Sequence, residues 1–144
     1  GGAPAGRRAG VIEAVRRRDA AALRRLLDAG EDADAKASEW AREEDTRGLH
    51  IAACHGYLEE LRLLLRHGAD VHRKAGGEGG EYTALHYAVF NRRHEAARLL
   101  VEAGADPLAT DSEGNTPVAQ AAKRKDEKMV SILRGAAADD DALD

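Results

Sequence analysis

One phrase recurs along this chain, and nothing constrains its fold more. LLLRHGADV at 63–71 returns as LLVEAGADP at 99–107, with a weaker copy, LLDAGEDAD, at 26–34 and a truncated one, SILRGA, at 131–136. Ahead of these phrases stand LH at 49–50, TALH at 83–86 and TP at 116–117, each opening an alanine-rich stretch. A repeat unit of this size cannot bury its apolar face alone and must stack on neighbours that carry the same face. The sequence therefore predicts a linear array in which each unit touches the one before and the one after.

Spacing sets the size of the unit. Ala88-Val89 and Ala121-Ala122 lie 33 residues apart, Gly68 and Gly104 lie 36 apart, and Gly30 and Gly68 lie 38 apart. A period of 33 accommodates two helices and a β-turn. The longer separations carry three and five extra residues, near KAGGEGGEY (74–82) and AKASEWAREED (35–45). Both excesses fall between units, where insertions are tolerated, and both segments are expected to form long, open loops. Short first helices are predicted at 49–55, 84–91 and 117–124. Second helices are predicted at 57–66, 93–102 and 126–134, with Leu61, Leu64 and Leu65, or Ala97, Leu99 and Leu100, at helical spacing. Thr83 and Thr116 stand where an N-cap hydroxyl is wanted, and Pro117 follows at N1. Gly30, Gly68 and Gly104 stand just past the second helices, where a left-handed residue ends a helix.

With TALHYA (83–88), NTPVAQAA (115–122), HGADV (67–71), AGADP (103–107) and LHIAACHGYLEELRLLL (49–65) in phase, the chain resembles the ankyrin-repeat family over about residues 9–136. The resemblance implies an all-α ankyrin-repeat solenoid: helix-turn-helix repeats joined by β-hairpin loops in a right-handed curved stack. Repeats are expected at about 9–36, 37–73, 74–108 and 109–136, the outer two serving as caps with polar flanks. Residues 1–8 are expected to be a disordered leader or a vector-derived remnant, and 137–144 an acidic disordered tail. Three departures carry consequences. Arg47-Gly48 stands where the family prefers Thr-Pro, which predicts a weaker cap. Arg92-Arg93 replaces the usual Gly-His, and Ala119 occupies the histidine position of the last repeat.

Composition narrows the function classes. The net charge of −4 argues against generic nucleic-acid binding. The charge is uneven: residues 1–30 hold seven Arg against Glu13, Asp19 and Asp28, so +4 there leaves −8 for the rest. No apolar run approaches the ~20 residues of a membrane span. One cysteine, Cys54, excludes an internal disulfide and fits a reducing compartment, so an intracellular and cytoplasmic location is expected.

Chemistry finds little purchase. His50 and Cys54 are four residues apart on one helix, with His55 adjacent and His86 at the equivalent repeat position. Two ligands at that spacing can share a zinc ion, but the resemblance implies that this histidine braces neighbouring loops. Cys54 and His55 do not face one another as nucleophile and base would need to. GGEGGE at 76–81 is acidic and would repel phosphate. No catalysis, metal or cofactor is expected.

The resemblance implies a cupped hand, with hairpin tips as fingers and first helices as a concave palm. Residues after each Ala-Ala-type pair face the palm: Cys54 and His55, Phe90 and Asn91, Lys123 and Arg124, and Arg16 and Arg17 in the first unit. Finger positions hold Trp40, Glu44 and Thr46, then Tyr82, then Glu113 and Asn115. Aromatic and arginine side chains concentrate interface energy. The expected function is recognition of a partner protein or peptide, an acidic segment with apolar anchors, by a chain that is monomeric in isolation. No direct nucleic-acid or membrane contact is expected. The competing expectations are a regulatory or scaffold subunit of a nucleic-acid-binding complex, and an engineered binder. The unequal insertions argue against the latter, since a consensus design keeps one period.

Overall fold

The structure, a computed structural model, describes residues 10–36, 46–76 and 80–138. Among the described residues eight helices form four antiparallel pairs: α1 (Val11–Arg16) with α2 (Ala20–Asp28), α3 (Gly48–His55) with α4 (Leu58–Arg66), α5 (Ala84–Phe90) with α6 (His94–Glu102), and α7 (Pro117–Lys123) with α8 (Glu127–Ala138). The first helices stack in the order α1, α3, α5, α7 and the second in the order α2, α4, α6, α8, giving two layers. The last helix runs to Ala138, past the expected end at 134. Among the described residues no strand forms. The expected hairpins reduce to single antiparallel bridges, Lys36 with Arg47 and Ala75 with Tyr82.

Leucine and alanine build the core, which runs the length of the array. Leu23, Leu61, Leu64, Leu100 and Leu133 come from second helices, and Val15, Leu49, Leu85, Val89 and Ala121 from first helices. Each fully buried leucine contributes about 1.5–3 kcal/mol. Leu65 and Leu99 differ from the expected phase: both are half-buried, whereas Leu63 is buried.

Helix starts follow the sequence at two sites and depart from it at a third. Thr83 accepts from the His86 backbone N–H, and Thr116 accepts from that of Ala119. Arg47 has no acceptor with which to cap α3. Its Nε instead donates to the Asp34 carbonyl at 2.9 Å, and its side chain is buried against the preceding hairpin. Gly48 has a packing reason: a Cβ there would lie 3.3 Å from both Leu64 Cδ1 and Val15 Cγ2.

The 74–82 segment is not an open finger at its base. Ala75 and Gly80 are buried, and the Gly80 carbonyl accepts from the Ser112 N–H at 3.1 Å. Gly76 has φ +105°, and a Cβ on Gly80 would sit 2.7 Å from the Gly76 carbonyl oxygen. Glycine at both positions lets the insertion close tightly where it leaves the array. Of the other insertion, 35–45, residues 37–45 lie outside the described residues.

Candidate functional site

Two histidines tie the finger loops to the first helices. The Arg47 N–H donates to His50 Nδ1 at 3.0 Å, so the ring proton resides on Nε2, which donates to the Arg73 carbonyl at 2.9 Å. His86 repeats the arrangement, accepting from the Thr83 N–H at 3.1 Å and donating from Nε2 to the Asn115 carbonyl at 3.1 Å. Burial, followed by neighbouring cations, lowers the pKa of each below 6.5 against the opposing pull of the carbonyl. Both nitrogens of both rings are thereby committed to protein partners. Among the described residues no three His, Cys, Asp or Glu side chains are grouped to hold a metal ion.

Between these braces lies an aromatic patch. Tyr82 meets Phe90 edge-on at 5.1 Å between centroids and Tyr87 edge-on at 5.7 Å, and Tyr87 meets His50 at 5.7 Å. Tyr82, Tyr87 and Phe90 are each half-buried. They are not free-standing surface rings, since each is packed against another. Beside them a depression of about 210 Å³ is lined by Thr46, His50, Ile51, Cys54, His55 and Tyr87.

Asn91, Arg124, Cys54 and His55, of the expected palm residues, meet this patch or the depression beside it. Asn91 donates from Nδ2 to the Tyr87 carbonyl at 2.8 Å and to Cys54 Sγ at 3.4 Å. Arg124 donates from Nη1 to the Phe90 carbonyl, which ties the last repeat to α5. His55 is exposed and stacks on Tyr57 at 5.1 Å. Lys123 is exposed beside Arg124. Glu113 and Asn115 stand apart in the last finger, where their N–H groups both donate to Asp111 Oδ1 at 2.9 Å. Trp40 and Glu44 lie outside the described residues. Sequence reasoning placed Tyr87 in a structural motif and so missed its half-exposed ring. Its spacing of three residues from Phe90, on one helix face, is the signal that could have found it.

The repeats themselves now decide the family. A model of ankyrin repeats, three copies, matches residues 11–111 and 79–144. The chain belongs to the ankyrin-repeat family. Over 124 residues, or 85% of this chain, it is 35% identical to diacylglycerol kinase zeta of Rattus norvegicus, of which it spans 13%. It is 40% identical over 118 residues, 76% of this chain, to zinc finger CCCH domain-containing protein 24 of Oryza sativa subsp. japonica, of which it spans 15%. Protein phosphatase 1 regulatory subunit 27 of Homo sapiens is 41% identical over 69 residues, 48% of this chain and 43% of that protein. The chain thus spans less than half the length of each of these relatives. Ankyrin repeats make it a protein-interaction module. Among the described residues no helix is long and apolar enough to cross a membrane.

Proposed function

We propose that this ankyrin-repeat array binds an extended segment of a partner protein across its first-helix layer. The observation that supports this reading is the half-buried Tyr82, Tyr87 and Phe90 patch, which opens beside the depression between α3 and α5. Rings already held edge-on give up little conformational freedom when covered, so their burial concentrates binding energy. Exposed Arg16 and Arg17 at one end and Lys123 and Arg124 at the other give this layer basic flanks. Charge there sets orientation and on-rate for an acidic segment, while the aromatics set affinity. The array performs no chemistry in this reading.

The test is binding kinetics against a partner recovered by affinity capture. Phe90→Ala should weaken binding by about 2 kcal/mol. A thermal-denaturation control is needed, because loss of the Tyr82 edge contact itself costs about 0.5–1.5 kcal/mol. Lys123→Glu should slow association and reduce its salt dependence. It is a cleaner reversal than Arg124, whose guanidinium also holds the Phe90 carbonyl. Glu at Arg24 and Arg25, both exposed on α2, should leave binding unchanged. If that outer-face variant alone lost the partner, the binding surface would be the second-helix layer.

A further inference from the structure

The turns between the two helices of each repeat fall along one edge of the array, away from the finger loops. The contacts between them are continuous. The Arg18 guanidinium lies 4.4 Å over the Tyr57 ring, from the first turn to the second. Arg93 Nε donates to the Cys54 carbonyl at 3.2 Å, from the third turn to the end of α3. Arg124 donates to the Phe90 carbonyl, from the fourth turn to the end of α5. Along this edge stand Arg16, Arg17 and Arg18, then Arg92 and Arg93, then Lys123, Arg124 and Lys125, all exposed. A protein of net charge −4 thus carries a row of eight cations on one edge.

The backbone makes the row more specific. One residue in each turn is left-handed: Arg18 at φ 57°, Gly56 at 73°, Arg92 at 55° and Lys125 at 58°. Glycine meets that conformation without steric cost, and residues with a Cβ do not. The second turn uses glycine, and a Cβ there would come within 3.0 Å of Arg93 Cδ. The other three turns place a cation at the position where glycine would be easier. Arg18 has a structural use, since its Nη2 lies 3.5 Å from the buried Glu60 carboxylate. Lys125 makes no side-chain hydrogen bond or ion pair among the described residues, and Arg92 makes none either, although its charge helps hold the Asp126 carboxyl below 3.8.

We propose that this turn edge is a docking surface for an extended acidic segment of a partner protein. The choice of partner follows from what surrounds the row. Exposed Asp19, Glu59, Glu95 and Glu127 flank it at the starts of the second helices, Glu13 lies 3.8 Å from Arg17, and Asp126 adjoins Lys125. A broad polyanion, whether a nucleic-acid duplex or a lipid bilayer, would face those carboxylates as well as the cations. A single extended chain can track between them. Neighbouring helices stack about 10 Å apart, which is close to three residues of extended chain at about 3.3 Å each. An acidic side chain at every third residue therefore keeps step with the repeats. Arg16, Arg17, Lys123 and Arg124 also flank the aromatic palm, so the two surfaces share cations, but the edge adds Arg18, Arg92, Arg93 and Lys125 and needs none of the palm rings.

Fluorescence anisotropy of the intact chain with a labelled peptide bearing Asp at every third residue tests the proposal. A single-stranded oligonucleotide of equal charge and anionic lipid vesicles serve as the other arms. The peptide should bind with strong salt dependence, and Arg92→Gly combined with Lys125→Gly should weaken it about fivefold, as expected for two exposed charge contacts. Lys125→Gly alone should melt at the same temperature or higher, because glycine suits the left-handed turn, and Arg92→Gly should lose no more than its weak attraction to Asp126. Phe90→Ala should leave peptide binding unchanged. The peptide carries no apolar side chain for the palm to cover, so a loss of its binding in Phe90→Ala would place it on the palm and overturn the edge. A lower melting temperature in Lys125→Gly would make the row structural, and unchanged peptide binding in the double variant would remove the site. Tighter binding of the oligonucleotide or vesicles, lost in the same variant, would overturn the choice of partner.

Discussion

The residues that hold this array together are also the ones that make it sensitive to acid. His50 and His86 are neutral, each accepting a backbone N–H at Nδ1, so a proton added there would face a donor. Burial is the first cause that lowers their pKa. An unfolded chain takes up these protons near pH 6.5, whereas the folded chain does so only at lower pH. Stability should therefore be full above about pH 6.5 and fall as the pH drops through the lowered folded values. Asp111 and Asp126 act further down. Burial raises both, but hydrogen bonds from Asn115 and Glu113 to Asp111, and from His94 and Met129 to Asp126, hold them below 3.8. Their contribution persists above that value and is lost as the pH falls through the folded one. Urea denaturation between pH 7.5 and 5 should show the first loss, and His50→Gln with His86→Gln should flatten it. An equally steep decline in that variant would assign the effect to other groups. Glu60 supports a second prediction. Its Oε2 has no hydrogen-bond partner and its side chain is buried, with Arg18 3.5 Å away. Met129 fills the equivalent place in the last repeat. Glu60→Met should be neutral or stabilising by up to about 2 kcal/mol, and a clear loss in chemical denaturation would show that the carboxylate is needed. The histidine braces were legible, because identical residues recur at one repeat position. Glu60 was not, because no period distinguishes a buried carboxylate from an exposed one.

At the scale of the helices, the starts were legible wherever a residue could signal them chemically. Thr83 and Thr116 cap α5 and α7 as their hydroxyls predict. The start of α3 was legible only as a weakness, since Arg47 cannot cap. Its remedy was hidden in tertiary contact: the side chain reaches the Asp34 carbonyl, and Gly48 leaves room for Leu64 and Val15. The turns tell a similar story. Gly56 marks its turn in the sequence, but Arg18, Arg92 and Lys125 adopt the same left-handed backbone without announcing it. Of the expected site residues, Thr46 and His55 line the depression with Tyr87 and Cys54, Asn91 bonds to both of the latter, and Arg124 reaches the Phe90 carbonyl, positions that repeat phase alone can count off. The dependence of Tyr82 on Tyr87 and Phe90 arises from ring packing across a loop and could not be counted off. Leu64 supplies the prediction for this scale. It is fully buried where α4 packs beneath α3. Leu64→Ala should cost about 2–5 kcal/mol in chemical denaturation, and a loss of a few tenths would contradict its place in the core.

Over the whole molecule, stability is a sum of repeats and the interfaces between neighbours. The second and third repeats each have two such interfaces, and the first and fourth have one. Hydrogen exchange should therefore be slowest in α3, α4, α5 and α6 and faster in α1 and α8. The tie from Arg124 to the Phe90 carbonyl and the His94–Asp126 contact at 3.0 Å attach the fourth repeat to the third, but no further repeat covers the far side of α7 among the described residues. A core truncation should then act differently according to where it falls. Leu64→Ala, in the second repeat, should lower protection across α1 to α6, because it weakens a unit on which both neighbours rest. Leu133→Ala, buried in α8, should lower protection in α7 and α8 while α3 to α5 keep theirs. Exchange measured by mass spectrometry on both variants decides the matter. If Leu133→Ala lowered protection in α1 to α6 as much as in α8, the array would be a single all-or-none unit, and coupling would extend well beyond the neighbouring repeat.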